Sequence, residues 1–406
     1  MTRIHDVLVV GGGLVGASLA IALDRAGLDV GLVEATAADA LPAVFDERNL
    51  SFNDATVNAL TALGVMRKLR APTGPIVRIH ASRRGDFGRV RLDAAEHGRQ
   101  AFGQVVVARD FGEALEARLA ELPRLVRHRP VRFVALGEHR EGARAVLVDD
   151  GSGERPLHAR LLVAADGTRS GVRAALGIAA REHDYRQTLL VARLRAERAP
   201  DGTAWERLGD DGPTALLPRG DRHYGLVHAV AREDAEAVLA LDDAAFLARV
   251  QAAVGWRVGR LLSVGARSAY PIAGLVADAT TAPRAVLVGN AAQTLHPVGA
   301  QGFNLGLRDA MTLAELLEAQ QAAGADPGDP ALLAAYAARR AEDRRRTLAF
   351  SDGLARLSAA TTAGLSPLRS AGLFAIDRVP SLKSLLAGGA MGYRGDVPAL
   401  CRAGAR

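Results

Sequence analysis

The order of apolar and polar positions predicts three places where a strand leads into a loop and then a helix. Residues 6–35 give an apolar strand, a glycine turn, a helix and a second apolar strand. Residues 161–173 give an apolar strand that ends in Asp166-Gly167, with a helix start directly after it. Residues 284–288 give a short buried strand, followed by a glycine-rich loop and helical spacing. The pattern predicts an α/β fold.

Two other stretches, residues 76–93 and 185–230, contain short runs that alternate apolar and polar positions. Such alternation is typical of strands with one covered face, so we expect a second, interrupted domain whose mixed sheet closes over the first. Four residues of "HYGLVHAV" are predicted to share one face: Tyr224, Leu226, His228 and Val230. The expected boundaries are 1–75, 94–180 and 275–350 for the first domain, 76–93 and 181–274 for the β-rich second domain, and 351–406 for a C-terminal helical segment.

The C-terminal segment allows two interpretations. Its pattern is helical with breaks at Pro367 and Pro380, and apolar residues are interspersed with arginine and lysine. A terminal helical pair packed on the body of the protein explains this pattern. An amphipathic surface for a membrane or a partner subunit explains it as well.

Bulk composition excludes several classes of protein. The net charge is +6, but no basic run is interleaved with aromatic residues, so we expect no nucleic-acid binding. Cys401 is the only cysteine, which excludes a disulfide within the chain and a cysteine-based metal site. The uncharged run 7–23 contains four glycines, which argue against a signal peptide, and a membrane span needs roughly 20 apolar residues. We therefore expect a cytoplasmic protein and leave peripheral binding to the inner membrane face open.

The first glycine turn has the chemistry of a dinucleotide site. In the pattern G-x-G-x-x-G, the first glycine permits the tight turn, the second lets a pyrophosphate approach the backbone, and the third lets the helix pack closely on the strand. Glu34 ends the second strand, where a carboxylate can accept hydrogen bonds from ribose hydroxyls. This signal favours an ADP-containing dinucleotide without deciding between NAD and FAD. The turn residues expected to contact it are Gly11, Gly13, Leu14, Val15 and Gly16.

The other two strand ends favour the longer cofactor. Asp166-Gly167 and Gly289-Asn290 each follow an apolar strand and precede a helix. Asp166 alone could be a simple helix cap. Three separated strand ends suit a long, extended cofactor better than a nicotinamide dinucleotide, which usually needs only the first motif.

At this point the chain resembles the flavoprotein aromatic hydroxylases of the para-hydroxybenzoate hydroxylase type, over residues 5 to 350. "DGTRSGVR" matches the family pattern D-G-x-x-S-x-V-R. Gly289-Asn290 stands where the family has Gly-Asp; an asparagine can still hydrogen-bond a ribityl hydroxyl. "LVGNAAQTLHPVGAQGFNLGLRDA", "GQVV" and "RSAYPI" are most similar to the ubiquinone-biosynthesis branch of polyprenyl-methoxyphenol hydroxylases. The resemblance implies a Rossmann-like FAD-binding domain of glutathione-reductase type.

The resemblance also implies roles for the loop after Asn290. His296-Pro297 would bring the loop under the isoalloxazine ring, and backbone amides would face the flavin N1–C2=O edge. His296 is either a proton relay or a residue that fixes the turn. Together with Pro297, it is the candidate for a catalytic position. The residues expected near the flavin are Pro297, Gly299, Gln301, Gly302, Phe303 and Asn304.

Further residues follow from the family's pattern. Arg48 would lie over the ribose and pyrophosphate, Gln104 would contact the cofactor, and Arg109 would reach the adenosine side. Solvated surface arginines are the alternative for Arg48 and Arg109. On the substrate side we expect Leu217, Pro218 and His228, with a buried, hydrogen-bonded sheet histidine as the alternative for His228.

The implied function is an FAD-dependent monooxygenase that hydroxylates a polyprenylated (methoxy)phenol in ubiquinone biosynthesis, through a flavin C4a-hydroperoxide. NAD(P)H would be the transient reductant, and no metal site is expected. The expected partners are a lipophilic phenolic substrate and O₂, while a membrane surface, other ubiquinone-biosynthesis proteins and a homo-oligomer stay open. The alternatives are a hydroxylase of another phenol or secondary metabolite, a flavin reductase, and a flavin-free scaffold subunit.

Overall fold

The computed structural model describes residues 3–140, 142–359 and 366–404. Its strands are, in chain order, β1 (Ile4–Val10), β2 (Val30–Val33), β3 (Asn49–Asn53), β4 (Gly74–Pro75), β5 (Arg78–Arg83), β6 (Arg89–Asp93), β7 (Gly103–Val107), β8 (Val126–His128), β9 (Arg132–Arg140), β10 (Ala143–Asp149), β11 (Glu154–Ala164), β12 (Ala180–Ala196), β13 (Thr203–Gly209), β14 (Gly212–Pro218), β15 (Tyr224–Ala231), β16 (Leu261–Val264), β17 (Ser268–Ala277), β18 (Thr281–Ala282), β19 (Ala285–Leu287) and β20 (Gln293–Thr294).

The helices of the same residues are α1 (Leu14–Arg25), α2 (Asp54–Ala62), α3 (Ala108–Leu119), α4 (Gly171–Ala175), α5 (Ala235–Leu239), α6 (Asp243–Val254), α7 (Gln301–Ala322), α8 (Pro330–Ala359), α9 (Ser366–Arg378) and α10 (Pro380–Ala390). Short 3₁₀ turns occur at Gly289–Ala291 and Val298–Ala300, in the predicted glycine-rich loop.

The first sheet is Rossmann-like. Its strands run in the order β18-β19-β11-β1-β2-β8, and β1 pairs in parallel with both β11 and β2. The helices α1, α3 and α7 pack on one face and bury a large apolar core against it. The antiparallel strands β9 and β10, with α4, cover the other face. Both faces are thus buried, which explains why these strands read as continuous apolar runs rather than alternating ones.

Close packing in the first turn requires glycine at two positions. A Cβ on Gly16 would lie 1.9 Å from the carbonyl oxygen of Gly11, so α1 approaches β1 only because Gly16 has no side chain. Gly11 itself has a φ of +105°, a conformation that favours glycine. The sequence prediction for these two glycines agrees with this geometry.

The second sheet lies across the first domain. Its strands run in the order β20-β17-β12-β15-β14-β13-β5-β6 and are mixed in direction. We call inner face the side that carries Leu189, Val191, Ala204, Leu208, Ala215, Leu217, Gly225, Val227 and Tyr270, which are in register across the strands. A Cβ on Gly225 would meet the Asn49 side chain of β3 at 2.2 Å, so the inner face lies against the first domain.

The outer face of this sheet has its own cover. Leu190, Leu194, Leu216 and Leu226 are buried there against α5 and α6. The small sheet β3-β7-β4 contacts the second sheet through Asn49 of β3, and its strand β7 leads directly into α3. The predicted fold class, α/β with a Rossmann-like domain, an interleaved mixed-sheet domain and C-terminal helices, is confirmed.

The C-terminal helices pack on the body of the protein and also expose apolar side chains. Ala387 and Met391 are buried with Ile76 and Phe102 of the preceding domains. Leu385 is 66% exposed on the same helix pair. Among the described helices, none is both long and apolar enough to cross a bilayer.

Candidate active site

The three predicted strand ends meet at one edge of the first sheet. The strands β19, β11 and β1 are neighbours and all parallel, so their carboxyl ends point the same way. Backbone hydrogen bonds continue just past them, from Val288 N–H to the Ala164 oxygen (3.0 Å) and from Ala165 N–H to the Val10 oxygen (2.8 Å). In open α/β sheets, ligands bind in the crevice outside these ends. The arrangement gives a single extended site.

Several glycines at this edge leave room that no protein atom fills. A Cβ on Gly13 would have only Val44 Cγ1 within 4 Å, at 3.8 Å, and a Cβ on Gly167 or Gly302 would meet nothing within 4 Å. Gly13 is also the N-cap of α1 and no side chain caps the helix there, so its first amides are available to an anion. Open glycines along one crevice and an uncapped helix N-terminus fit a pyrophosphate and an extended cofactor such as FAD.

Glu34 is fixed close to the first turn. Its carboxylate accepts hydrogen bonds from the backbone N–H of Gly12 (2.8 Å) and of Thr36 (2.7 Å), one on each oxygen. Each carboxylate oxygen can accept a second hydrogen bond. The position is therefore compatible with the predicted bond to the ribose hydroxyls, which stays a prediction.

In the second loop, the Asp166 side chain bonds to the start of α4. It accepts hydrogen bonds from Ser170 Oγ (2.5 Å) and from Val172 N–H (3.1 Å). The N-cap residue itself is Ser170, whose Oγ accepts from Arg173 N–H at 2.9 Å, so Asp166 supports the cap, and its contact with a cofactor stays a prediction. Gly167 has a φ of +84°, which lets the chain turn toward the crevice.

Arg173 joins the second and third loops, a role that the sequence did not predict. Its guanidinium donates to the backbone oxygens of Ala291 (2.9 Å) and Thr168 (3.0 Å), and the residue is buried. Thr168 and Thr294 also share a hydrogen bond between their hydroxyls, at 2.9 Å. The sequence feature that could have indicated this role is the arginine at the end of "DGTRSGVR", which is Arg173. It holds in place the two loops between which a cofactor would lie.

Asn290 is available to a ligand in the third loop. It is exposed, and in the described part of the chain its side chain has no hydrogen-bond partner. Gly289, with a φ of +59°, donates its N–H to Asp309 Oδ2 at 3.3 Å. A Cβ on Gly306 would lie 2.8 Å from the Cα of Gly289, so α7 is packed directly under this turn. The turn is rigid while its one polar side chain is free, as a ribityl-binding residue requires.

The His296 ring fixes the loop. Its Nδ1 accepts a hydrogen bond from Val298 N–H (3.1 Å), so its Nε2 carries the proton that is shared with Gln187 Oε1 (3.0 Å). Burial lowers the pKa of His296 to about 4, and the residue is fully enclosed. A neutral ring with both nitrogens occupied favours the turn-fixing interpretation over the proton relay. Pro297 follows it directly and begins the 3₁₀ turn.

The start of α7 presents its backbone rather than its side chains. Gly299 has a φ of +72° and Ala300 a φ of +50°, and no side chain caps the helix. The Asn304 side chain accepts a hydrogen bond from Asn53 N–H (3.0 Å) and donates to backbone oxygens. The Phe303 ring packs on the rings of Phe52 and Phe111. Gln301 Nε2 donates to the Gly299 oxygen (3.0 Å). Any contact of these residues with a flavin would therefore use their amides, as the sequence analysis expected.

Arg48 is held where the two domains meet. Asp46 accepts hydrogen bonds from Arg48 Nε (2.8 Å) and Nη2 (2.6 Å), and the guanidinium lies over the Tyr270 ring, 4.1 Å from its centre. The Tyr270 hydroxyl donates to Asp46 Oδ2 at 2.5 Å. Burial raises the pKa of Asp46, but these hydrogen bonds outweigh it and lower the pKa. The sequence pattern did not predict the roles of Asp46 and Tyr270, which orient the arginine.

The remaining two predicted contacts are less distinctive. Gln104, on β7, accepts a hydrogen bond from Thr73 Oγ1 at 3.0 Å. Arg109 is exposed and pairs with Glu47 at 2.7 Å. For Arg109 this pair agrees with the alternative of a surface arginine, and for both residues contact with the cofactor stays a prediction.

The substrate-side predictions divide by face. Leu217 lies on the inner face, in the apolar cluster that joins the sheet to the first domain, and Pro218 ends the same strand with its carbonyl oxygen against Gly74. His228 lies on the outer face, the side of the sheet that α5 and α6 cover, and its contact with a substrate stays a prediction. Its Nδ1 is bonded to Thr214 Oγ1 (2.8 Å), and burial, with Arg249 nearby, lowers its pKa to about 4. His228 is the buried sheet histidine of the alternative interpretation.

Comparison with known proteins agrees with this geometry. Residues 5–351 match the family described as FAD binding domain. The chain is 36% identical to the ubiquinone hydroxylase UbiL of Rhodospirillum rubrum, over 96% of this chain and 90% of that protein. It is 29% identical to the 3-demethoxyubiquinol 3-hydroxylase of Escherichia coli, over 93% of this chain and 96% of that one.

A solved structure extends the likeness to the whole fold. The p-nitrophenol 4-monooxygenase PnpA of Pseudomonas putida superposes with a TM-score of 0.79, over 97% of this chain and 99% of that chain. The two sequences are 18% identical, so this similarity concerns the fold alone.

Proposed function

The chain belongs to the FAD binding domain family, and we propose that it is an FAD-dependent monooxygenase that hydroxylates the ring of a polyprenylated methoxyphenol in ubiquinone biosynthesis. The observation that carries the proposal is the end-to-end similarity to a ubiquinone hydroxylase, at 36% identity over 96% of the chain. A relative that matched only the cofactor domain would support FAD binding alone, because the substrate side lies in the second sheet.

The first domain would hold the cofactor. The amides at the start of α1 and the Arg48 guanidinium would bind the pyrophosphate, Glu34 the ribose, and Asn290 the ribityl chain. Bound FAD, reduced by NAD(P)H, supplies the oxygen-activating chemistry. The side chains of this protein would bind the cofactor, orient the substrate and keep water away from both.

The inner face of the second sheet suits a lipophilic phenol. Leu189, Val191, Leu217 and Val227 share that face and line the side of the sheet turned toward the cofactor loops. An apolar wall holds a prenyl tail by burial of its surface, roughly 0.8 kcal/mol for each CH₂ group. It also keeps water from the reacting atoms, which oxygen transfer by a flavin requires.

The test is isotope incorporation. The FAD-loaded protein, NADH or NADPH, labelled O₂ and a methoxyphenol with one prenyl unit should give a product that carries one labelled oxygen on its ring. Reductant consumption with release of H₂O₂ and an unlabelled phenol would instead identify a flavin reductase. Protein that binds no FAD at all would leave only the scaffold alternative.

Gly13→Val provides a matched test of the cofactor site. The backbone of Gly13 has a φ of −71°, and only one protein atom lies within 4 Å of its Cβ direction, so valine should fit the protein itself. It should nevertheless block the pyrophosphate, and we expect loss of bound FAD with an unchanged unfolding temperature of the apoprotein. Retained FAD would contradict the assignment of this crevice.

We also propose that α9 and α10 rest on a membrane surface, from which a prenylated substrate would enter. Their exposed apolar residues are Phe374 (51%), Val379 (39%), Leu382 (41%) and Leu385 (66%). The double variant Leu382→Ser/Leu385→Ser should float less with anionic phospholipid vesicles, whereas Leu262→Ser, at a site 43% exposed on β16, should not change flotation. Equal flotation of all three proteins would contradict this. Homo-oligomers and contacts with other proteins of the same biosynthesis stay predictions.

A further inference from the structure

Glu206 lies on the inner face of the second sheet, at the middle of its strand. It lies on β13 between Ala204, which packs in the apolar cluster with Phe102, and Leu208, which packs against Val298 of the 3₁₀ turn before α7. Because side chains two apart in a strand point the same way, the carboxyl is directed to the same side. The cofactor loop therefore faces the strand that carries this residue.

The residues beside Glu206 leave space around it. Its neighbours across the strands are Ala81 on β5 and Ala215 on β14, both with small side chains. No hydrogen bond or ion pair is made by the Glu206 side chain to any residue that the structure describes. A carboxylate withdrawn from bulk water is normally paired. A lone carboxyl among alanines indicates a place for a ligand group that donates a hydrogen bond.

Charged groups on the elements around this face are engaged elsewhere. Arg83, on the same face of β5, pairs with Asp210; Asp352 of α8 pairs with Arg356 at 2.8 Å; and Arg48 pairs with Asp46. Burial is accordingly the cause that raises the pKa of Glu206 to about 7. The residue still keeps intermediate exposure. The accessible surface that remains allows a ligand group to contact this residue.

We propose that Glu206 is the catalytic residue that accepts the proton of the substrate's phenolic hydroxyl, an inference that rests on the proposed function. The phenolic O–H bond breaks, its electron pair stays on the oxygen, and the proton binds a Glu206 carboxylate oxygen. The resulting phenolate has more electron density on its ring, where the oxygen atom is added. As that ring carbon then loses its hydrogen to water as a proton, Glu206 returns its proton to the phenolic oxygen and becomes a carboxylate again.

A binding experiment tests the contact without turnover. The oxidised, FAD-loaded protein is titrated with the one-prenyl methoxyphenol and with its methyl ether, which lacks the proton. For the phenol, the dissociation constant should fall about tenfold or more as pH rises through the ionisation of Glu206, because the acceptor becomes charged. The constant for the methyl ether should not fall. In Glu206→Gln the two ligands should show the same flat profile.

Kinetics test the proton transfer. Glu206→Gln should lower kcat for oxygen incorporation about 100-fold or more, and the acidic limb of the wild-type kcat/KM profile should disappear. Glu206→Asp, which keeps a carboxylate at a shorter reach, should recover part of the rate. Glu182→Gln makes the same chemical change at an exposed position of β12 and should behave as wild type.

The outcomes separate this inference from the proposed function. Wild-type hydroxylation that Glu206→Gln retains within about threefold would overturn the role of Glu206 and leave the proposed function intact. If the dissociation constant of the methyl ether also fell as pH rises, the role of Glu206 would likewise be overturned and the proposed function would stay intact. A wild-type protein that incorporates no oxygen into this phenol at any pH would overturn the proposed function, and the inference with it.

Discussion

Two groups of desolvated ionisable residues in this protein are built in opposite ways. Between α7 and α8, the side chains that we call the charged quartet exclude water almost completely and pair with one another: Arg308, Asp309, Arg340 and Asp343. Arg308 and Arg340 donate to Asp343 at 2.7 and 2.6 Å, and Arg340 donates to Asp309 at 2.8 Å. On β13, Glu206 has no such partner among the residues that the structure describes. Each aspartate of the quartet has an arginine within hydrogen-bond distance, whereas Glu206 has no cationic side chain at that distance in the described ranges.

The contrast shows in the direction of the pKa shifts. Burial raises the pKa of Asp343, but Arg308 and Arg340 outweigh burial and hold the pKa at about 2. For Glu206 burial acts alone and the pKa is about 7. A compensated buried charge is locked into one protonation state and serves the structure. An uncompensated carboxyl near neutral pH can exchange a proton, as a catalytic acid or base must.

The largest expected effect comes from breaking the charged quartet. Asp343→Asn would leave two buried guanidinium groups without their shared carboxylate, and we expect the free energy of unfolding to fall by about 3–5 kcal/mol in denaturant titrations. Glu342→Gln is the matched control, because Glu342 forms a half-exposed pair with Arg346 one residue away on the same helix. That variant should change the free energy by less than about 1 kcal/mol. Similar losses for both variants would remove the distinction.

Next in size is the pH dependence that Glu206 gives to stability. Its pKa is about 7 in the folded protein and 4.5 in an ordinary glutamate, so the folded state binds more protons. Its stabilising contribution is complete below pH 4.5 and is lost as pH rises through about 7. The free energy of unfolding of wild type, minus that of Glu206→Gln, should fall by about 2–3 kcal/mol over this window. Parallel pH curves would show that Glu206 is not desolvated.

A smaller effect on stability should follow from removing Gln293, whose side chain connects the charged quartet to the loop after Gly289. Gln293 donates to Asp309 at 2.6 Å and accepts from Arg344 at 2.8 Å. Gln293→Leu would remove one hydrogen bond from each of these buried groups and lower the free energy of unfolding by about 1–2 kcal/mol. FAD affinity, followed by flavin fluorescence, should weaken up to about tenfold. Gln321→Leu, at an exposed position of α7, should leave the FAD affinity unchanged. An equal loss of FAD affinity in this control would show that the effect does not depend on the contacts of Gln293.

The smallest effect is expected on the outer face. His228→Leu removes a bond to Thr214, but it also removes Nε2, which has no partner among the described residues. The two changes oppose each other, so the free energy of unfolding should change by less than about 1 kcal/mol. The rate of oxygen incorporation should stay within about twofold of wild type. If His228→Leu lowered the rate of oxygen incorporation strongly while the free energy of unfolding stayed constant, the outer face would be shown to affect the active site.

The parts of the site that sequence could predict are those in which function is local. Gly11, Gly13 and Gly16 act through one strand, one turn and one helix, all of which lie within residues 4–25. The same holds for Asp166-Gly167 and the loop after Gly289. Parallel strands then bring the three loops to one edge without further information from the chain.

The orientation of the second sheet could not be predicted from the sequence. Alternation of apolar and polar residues defines two faces of a strand, but it does not indicate which face is turned toward the first domain. The four residues of "HYGLVHAV" do share a face, but it is the outer one, whereas the substrate-side prediction for His228 assumed the inner one. Glu206 was missed because a glutamate in a strand usually marks the solvent side. The signal was present in "TAWERLG", where Ala204 and Leu208 flank Glu206 at two-residue spacing, so the acid interrupts an apolar face.

The long helix α8 has a consequence for substrate size. Arg340 supports the loop at Gly289 through Asp309, and Ser351 donates to the His296 oxygen at 3.0 Å. Ala355 packs in one cluster with Val298 and Leu208. One helix thus contacts the Gly289 turn through Asp309, the loop at His296, and β13 through Leu208. The side chain that α8 places in the cluster with Leu208 is a single methyl group, that of Ala355. A larger side chain at position 355 would therefore push the loop and β13 apart, which would change the space for a phenol under the proposed function, although α8 performs no chemistry itself.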